Sequence, residues 1–328
     1  MTSQTDAAAL PVKSSRMDLQ SPDPMKGIFL KVASVIVFLC MSTLIKAAGK
    51  EIPAGQITFL RSAFAMVPIL AFLAMHGQLR DAFRTDDILG HFRRGFVGIL
   101  AMGFGFYGLV HLPLPESIAL GYALPLVTVV VAAIVLKERV GVYRWTAVLV
   151  GLVGVGIISW PRLTLFREGG FGSSEAMGAL AMLAFAVLGS CAMVLVRKLV
   201  QTERTPTIVL YFSLFASIFS LATLPFGWVD LGWKALVMMA LAGFCGGVAQ
   251  LLLTSSYRYA DVSTIAPFEY TSIVLGIIVG YFLFDDVPTG AMLTGTAIVV
   301  SAGIFVIYRE HRLNLQRRAE MRHRLPQG

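Results

Sequence analysis

Charge is scarce in this sequence. Asp, Glu, Lys and Arg make up 14% of its 328 residues, against about 25% in an ordinary soluble domain. That leaves too little polar surface to keep a chain of this size in water, so a soluble enzyme and a disordered chain are excluded. The three cysteines, Cys40, Cys191 and Cys245, all fall in apolar runs. They have neither zinc-ligand spacing nor an extracellular partner, which excludes a disulfide scaffold and leaves them as small packing residues. No Walker A loop, metal-ligand cluster or Ser/His/Asp set is visible, so neither a cofactor nor a bound metal is expected. Gly103-Phe-Gly105-Phe-Tyr-Gly108 fits the dinucleotide pattern, but no strand precedes it and no βαβ unit could hold it. Residues 1–25 are polar and lack the apolar core of a signal peptide; they are expected to form a disordered cytoplasmic tail.

What is present is apolar: Ala, Val, Ile, Leu, Met, aromatics and Cys make up 56% of the chain. A helix needs roughly 20 such residues to cross the hydrocarbon core. Ten runs qualify, at about 27–45, 55–75, 95–111, 117–136, 144–160, 176–196, 207–226, 235–256, 263–284 and 290–308. They are too long and continuous for barrel strands. The expectation is an all-α integral membrane protein of ten transmembrane helices. The longest connection, 76–94, is too short to fold alone.

The net charge of +8 is explained by position. With both termini inside, 21 Lys and Arg fall on the inner side and 5 on the outer, with Arg61 alone within a span. This is the positive-inside signature of a plasma (inner) membrane protein. Lys31, just inside the first span, is expected to snorkel to the surface. The six arginines after Tyr308 are expected to hold a basic tail, 309–328, to the anionic inner leaflet rather than to nucleic acid.

The chain also reads as written twice. Cys40-Met-Ser-Thr-Leu-Ile-Lys46 closes span one, and Cys191-Ala-Met-Val-Leu-Val-Arg197 closes span six in the same layout. Pro53 and Pro206 precede spans two and seven; Ser117 and Ser263 open spans four and nine. The repeats would cover 26–161 and 175–308. Five helices per repeat force the second copy to insert inverted. The basic Lys137-Glu138-Arg139 connection and its acidic counterpart Asp285-Asp286 then face opposite sides. Inverted repeats are a signature of secondary transporters with a site near the midplane.

Three stretches carry a family resemblance. One is Phe106-Tyr107 with His111-Leu-Pro113-Leu-Pro115 and Leu124-Pro125-Leu126. Another is Lys137-Glu138-Arg139-Val140 through Arg144-Trp145 to Gly151, Gly154, Gly156 and Pro161. The third is Arg258-Tyr259-Ala260-Asp261, Ala266-Pro267-Phe268-Glu269-Tyr270-Thr271 and Asp286-Val287-Pro288. Over about residues 25–308 the chain resembles the drug/metabolite transporter superfamily, in its EamA-type ten-helix branch. The resemblance implies an inner-membrane permease without an ATPase site, moving a small molecule such as an amino acid, riboflavin, S-adenosylmethionine, a nucleobase or a drug. Where many members have Gly-Glu after spans four and nine, this chain has Lys137-Glu138 and Asp285-Asp286.

Few residues are candidates for chemistry. Glu269 is the one carboxylate well inside a span, two residues after Pro267, which cannot donate a helical bond to Ser263. It reads as a substrate contact or a proton-coupling site, or as a partly hydrated structural acid ~9 Å along the helix from Ser263. Arg61 is the matching base, ~10 Å into span two. It reads as an anion contact, or as a snorkelling residue or interhelical lock. Gln250 is a polar group that could orient a ligand or bond a neighbouring helix. The resemblance implies that Tyr107, Tyr122, Tyr257 and Tyr270 border a central cavity; each alternatively packs or anchors at an interface. Pro125 and Pro267 are candidate hinges. The expectation is a secondary transporter of an amino acid, aromatic or similar compound working by alternating access; proton coupling through Glu269 is one hypothesis, and a uniporter fits as well, because no sodium-site pattern is visible. A lipid flippase, an intramembrane enzyme and a non-transporting sensor are the rival readings. Substrate identity, direction of transport and oligomeric state are not encoded in any motif.

Overall fold

A computed structural model describes residues 24–49, 51–135, 142–169, 174–199, 202–259, 268 and 271–324. Among these residues there are eleven α-helices and no strand. They are α1 (Pro24–Ala48), α2 (Ala54–Met75), α3 (Ile88–His111), α4 (Leu114–Gly121), α5 (Ala123–Val135) and α6 (Val142–Gly169), then α7 (Ser174–Leu199), α8 (Thr205–Leu221), α9 (Trp233–Tyr259), α10 (Thr271–Phe284) and α11 (Gly290–Arg324). Helices α1, α2, α3, α7 and α9 hold stretches long and apolar enough to cross a membrane, and α6, α8, α10 and α11 hold shorter ones. Only 33% to 44% of each long stretch is buried inside the molecule. The remaining apolar side chains, Phe29, Val67, Phe104 and Leu241 among them, face outward. In water that surface would aggregate; in lipid it is the surface required.

Three boundaries differ from the sequence reading, and each has a local cause. The apolar run of the third span begins at 95, yet α3 starts at Ile88, because Asp87 caps it by accepting the Gly90 N–H at 2.8 Å. Arg93 and Arg94 therefore lie on a helix and not in a connection. Span four, read as continuous, breaks at Tyr122 into α4 and α5. Pro125 has no N–H to give the Gly121 carbonyl, so the α-helical ladder is interrupted there. The last helix does not end at Tyr308 but runs on to Arg324. The guanidinium of Arg309 stacks on Tyr143 at the start of α6, 4.6 Å from the ring centre.

In the packing, α1 lies along α9 and α3 along α7; α2 touches α8 and α9, α6 pairs with α11, and α4 with α10. The closest approaches use glycine. A Cβ on Gly154 of α6 would stand 2.8 Å from the carbonyl oxygen of Gly295 on α11, and one on Gly295 would stand 2.6 Å from that of Gly154. Helix α9 meets α2 in the same way: Gly243 faces the Arg61 carbonyl and Gly247 the Ala65 carbonyl. That order means that α2 and α9 run in the same direction. Buried apolar clusters fill the rest, one around Leu120, Tyr122, Met182 and Met292 and another around Ile45, Ile57, Leu114 and Met239.

Candidate functional site

Two arginines stand out, because each is held in an apolar setting with no paired acid among the described residues. Arg61 lies on the buried face of α2, with Thr58, Ser62 and Ala65, and is 7% exposed. Its guanidinium rests against Gly246 of α9 and beside the sulfur of Met41 on α1: a Cβ on Gly246 would lie 3.0 Å from Nε and 2.9 Å from that sulfur. Among the described residues no acid pairs with it, and Nε has no hydrogen-bond partner. So Arg61 is enclosed rather than snorkelling, and among the described residues no ion pair makes it an interhelical lock. The neighbouring Ser62 hydroxyl is also buried without a partner. Lys31, for its part, is 2% exposed and sits inside the bundle instead of reaching its surface.

Arg94 is the second arginine. It looked like part of a basic connection, but the Asp87 cap carries it into α3. Its side chain runs deeper along its own helix, because Gly98 leaves the space: a Cβ there would be 2.5 Å from Nη1. The guanidinium lies flat on the Phe212 ring of α8, 3.6 Å from its centre. Nε and Nη1 are buried with no hydrogen-bond partner. The signal was present in the sequence as Asp87, a capping residue ahead of the helix, and as Gly98 one turn beyond Arg94.

The two ends of the bundle are closed by polar contacts. At one end, Lys46 of α1 pairs with Asp286 at 3.6 Å and donates to the Leu112 carbonyl at 2.5 Å. Asp286 accepts the Leu114 N–H at 2.9 Å. Nearby, Gln56 donates to the Val229 carbonyl at 2.8 Å and accepts the Val229 N–H at 3.1 Å. At the other end, Glu203 accepts from the Thr85 hydroxyl at 2.6 Å and from the Asp86 and Asp87 N–H groups at 2.9 and 3.3 Å. His91, stacked on Tyr211, stands 3.9 Å from the same carboxylate. Burial works to raise the Glu203 pKa, but these hydrogen bonds and His91 outweigh it and hold the group below its ordinary value.

The other sequence candidates are dispersed. Tyr107 stacks on His111, and both line a pocket of about 350 Å³ at the Lys46 end. Ile57, one turn before Arg61 on α2, lines that pocket too. Tyr122 is buried in the apolar cluster at the α4–α5 break, and its hydroxyl and that of Ser272 are hydrogen-bonded at 2.5 Å. Gln250 is half-buried on α9, one turn beyond Gly246. Tyr257 falls on α9 and Pro125 in the first turn of α5. Glu269, Tyr270 and Pro267 lie outside the described residues. Among the described residues no group of His, Cys, Asp or Glu is placed to hold a metal ion.

A bundle of apolar helices with lipid-suited surfaces and arginines enclosed inside it defines an integral membrane protein. The profile of the EamA-like transporter family matches residues 25–160 and 176–309, and the chain belongs to that family. It is 24% identical over 286 residues to the S-adenosylmethionine uptake transporter of Rickettsia prowazekii (strain Madrid E), covering 87% of this chain and 94% of that one. It is 26% identical over 287 residues to the riboflavin transporter of Vibrio cholerae serotype O1, covering 86% and 93%. It is also 26% identical over 285 residues to the pseudopaline exporter CntI of Pseudomonas aeruginosa, covering 85% and 94%. A protein of known crystal structure shares the fold, with a TM-score of 0.60 at 21% identity over 88% of this chain and 99% of that one. The chain is therefore a multi-pass membrane transporter and not an enzyme.

Proposed function

We propose that the chain is a secondary transporter that carries a small metabolite, such as an amino acid or aromatic compound, across the inner membrane by alternating access. Ten spans form two inverted five-helix halves, 26–161 and 175–308, with both termini cytoplasmic. The observation that carries this reading is the helix pairing. Spans one to five would correspond to six to ten. Exchanging the halves turns the α1–α9 contact into the α7–α3 contact, and it maps α2–α8, α4–α10 and α6–α11 each onto itself. The Lys and Arg asymmetry supports the orientation, which makes the Lys46 end external and the Glu203 end cytoplasmic. The arginine-rich end of α11 then meets anionic headgroups of the inner leaflet.

Arg61, Gln250, Glu269 and the tyrosines 107, 122, 257 and 270 are the proposed substrate contacts, and Pro125 and Pro267 the hinges. Glu269 is the proposed proton-coupling group, because it is a titratable acid within a span. Metabolite mixtures offered to proteoliposomes under an imposed pH gradient test this reading. Wild-type protein is expected to accumulate substrate and Glu269→Gln to equilibrate it only. Full gradient-driven accumulation by Glu269→Gln overturns the coupling role.

A further inference from the structure

We infer that Arg61 and Arg94 together form a binding site for an anionic group, a carboxylate or phosphate, at mid-depth in the bundle. The inference rests on the transport reading above and names the substrate class: an anion. Arg61 enters from α2, ~10 Å along the helix from Ala54. Arg94 enters from α3, and its head reaches the level of Gly98, ~15 Å from Ile88. One helix starts at each end of the bundle, so the two heads reach its interior from opposite ends.

Several donors there are unsatisfied. Arg61 Nε, Arg94 Nε, Arg94 Nη1 and the Ser62 hydroxyl are all buried without a hydrogen-bond partner. Two cations in such a place are unfavourable: Arg61 is buried and Arg94 half-buried, their Nε atoms and Arg94 Nη1 are cut off from solvent, and among the described residues neither is paired with an acid. A fold built for stability alone would place apolar side chains there. An anion reverses every one of these terms, because a guanidinium presents a planar fork of donors to carboxylate or phosphate oxygens. Phe212 and Gly98 show that the arrangement is shaped for this. The ring covers one face of the Arg94 guanidinium, which leaves its N–H edges available, and the glycine gives the side chain its room. Gly246 does the same for Arg61 on α9. Access requires α8 and α9 to part from α2 and α3, the rocking movement of a two-half carrier.

The test is thermal unfolding of the full-length protein in nanodiscs of neutral lipid, with benzoate, inorganic phosphate and the uncharged analogue benzamide as probes. Binding at equilibrium needs no gradient, so it is independent of whether transport is observed. Benzoate or phosphate is expected to raise the unfolding midpoint of the wild type by about 3 °C or more, and benzamide to leave it unchanged. Arg61→Gln and Arg94→Gln are expected to raise the midpoint of the ligand-free protein while losing the response. Arg94→Lys is expected to keep part of it. A parallel series with phosphatidylglycerol in the disc separates the sources. A response confined to that lipid, and lost in both Gln variants, makes the anion a headgroup. Equal responses in wild type and Gln variants, a response to benzamide, or Gln variants that are destabilised with or without ligand overturn the inference. Uptake that is unchanged in both Gln variants would overturn it while leaving the transport reading intact.

Discussion

Lys46 and Asp286, 240 positions apart in the chain, form a 3.6 Å ion pair that also ties down both sides of the α3–α4 junction, at Leu112 and Leu114. It is a clasp between the first and second halves at one end of the bundle. The Glu203 cluster is its counterpart at the other end. A carrier that opens alternately has to release one clasp at a time.

Asp286→Asn is therefore expected to favour opening at the Lys46 end. Removing one partner of a fully buried pair costs about 3–5 kcal/mol; these two side chains are 11% and 17% exposed, so about 2 kcal/mol is expected. Labelling of a cysteine placed at Ile57 by an impermeant maleimide should rise. A Lys46→Met, Asp286→Leu double variant should recover much of the lost stability, because it leaves no charge unpaired. If the double variant is as unstable as the two single changes added together, the clasp is not a coupled pair.

The Glu203 end should respond to acid. Its folded pKa lies below the ordinary carboxylate value, so its contribution to stability is present above about 4.5 and is lost as pH falls below that value, through the lower folded pKa. The groups that hold it are the Thr85 hydroxyl, the Asp86 and Asp87 amides and His91. Hydrogen exchange of the 85–87 amides reads the change: protection should fall on acidification in the wild type, and be low at neutral pH in Glu203→Gln. Protection factors that are independent of pH in the wild type would refute this account.

Glycines that look alike in the sequence should behave differently. A methyl group at Gly154 meets the Gly295 carbonyl, which cannot move aside, so Gly154→Ala is expected to cost about 1–3 kcal/mol. Gly156 has open space at the same position, and Gly156→Ala should be neutral or stabilising by up to about 1 kcal/mol from helix propensity. Comparing unfolding midpoints in detergent decides it, and equal effects would contradict the crossing described for α6 and α11.

Tyr122→Phe isolates one hydroxyl. Losing its bond to Ser272 should cost about 1 kcal/mol. If transport falls by more than that loss of folded protein explains, the hydroxyl also meets the substrate.

How much of this was legible depended on whether the signal was local. Arg61 was visible because a lone base interrupts the run 55–75. Arg94 was hidden by its neighbours: Arg93 beside it and the polar stretch before it resemble a connection, and only the Asp87 cap reveals the helix. The interruption at Tyr122 was written in Pro125 and Gly121, but a continuous apolar run masked it. Lys46 with Asp286, and Thr85 with Glu203, join residues more than a hundred positions apart. No periodicity links such residues; only the packing of helices brings them together.

The guanidiniums of Arg61 and Arg94 have one more consequence. A guanidinium keeps its proton at any physiological pH, so acidity cannot switch off the positive charges carried by α2 and α3. The electric field can act on it. Each elementary charge carried across a membrane potential gains or loses about 2.3 kcal/mol per 100 mV. Any displacement of the pair along the field makes the empty carrier voltage-sensitive, and a bound anion offsets part of that charge. Loading and voltage then act on the same conformational step, and the current recorded from an unloaded carrier would report how far the arginines move.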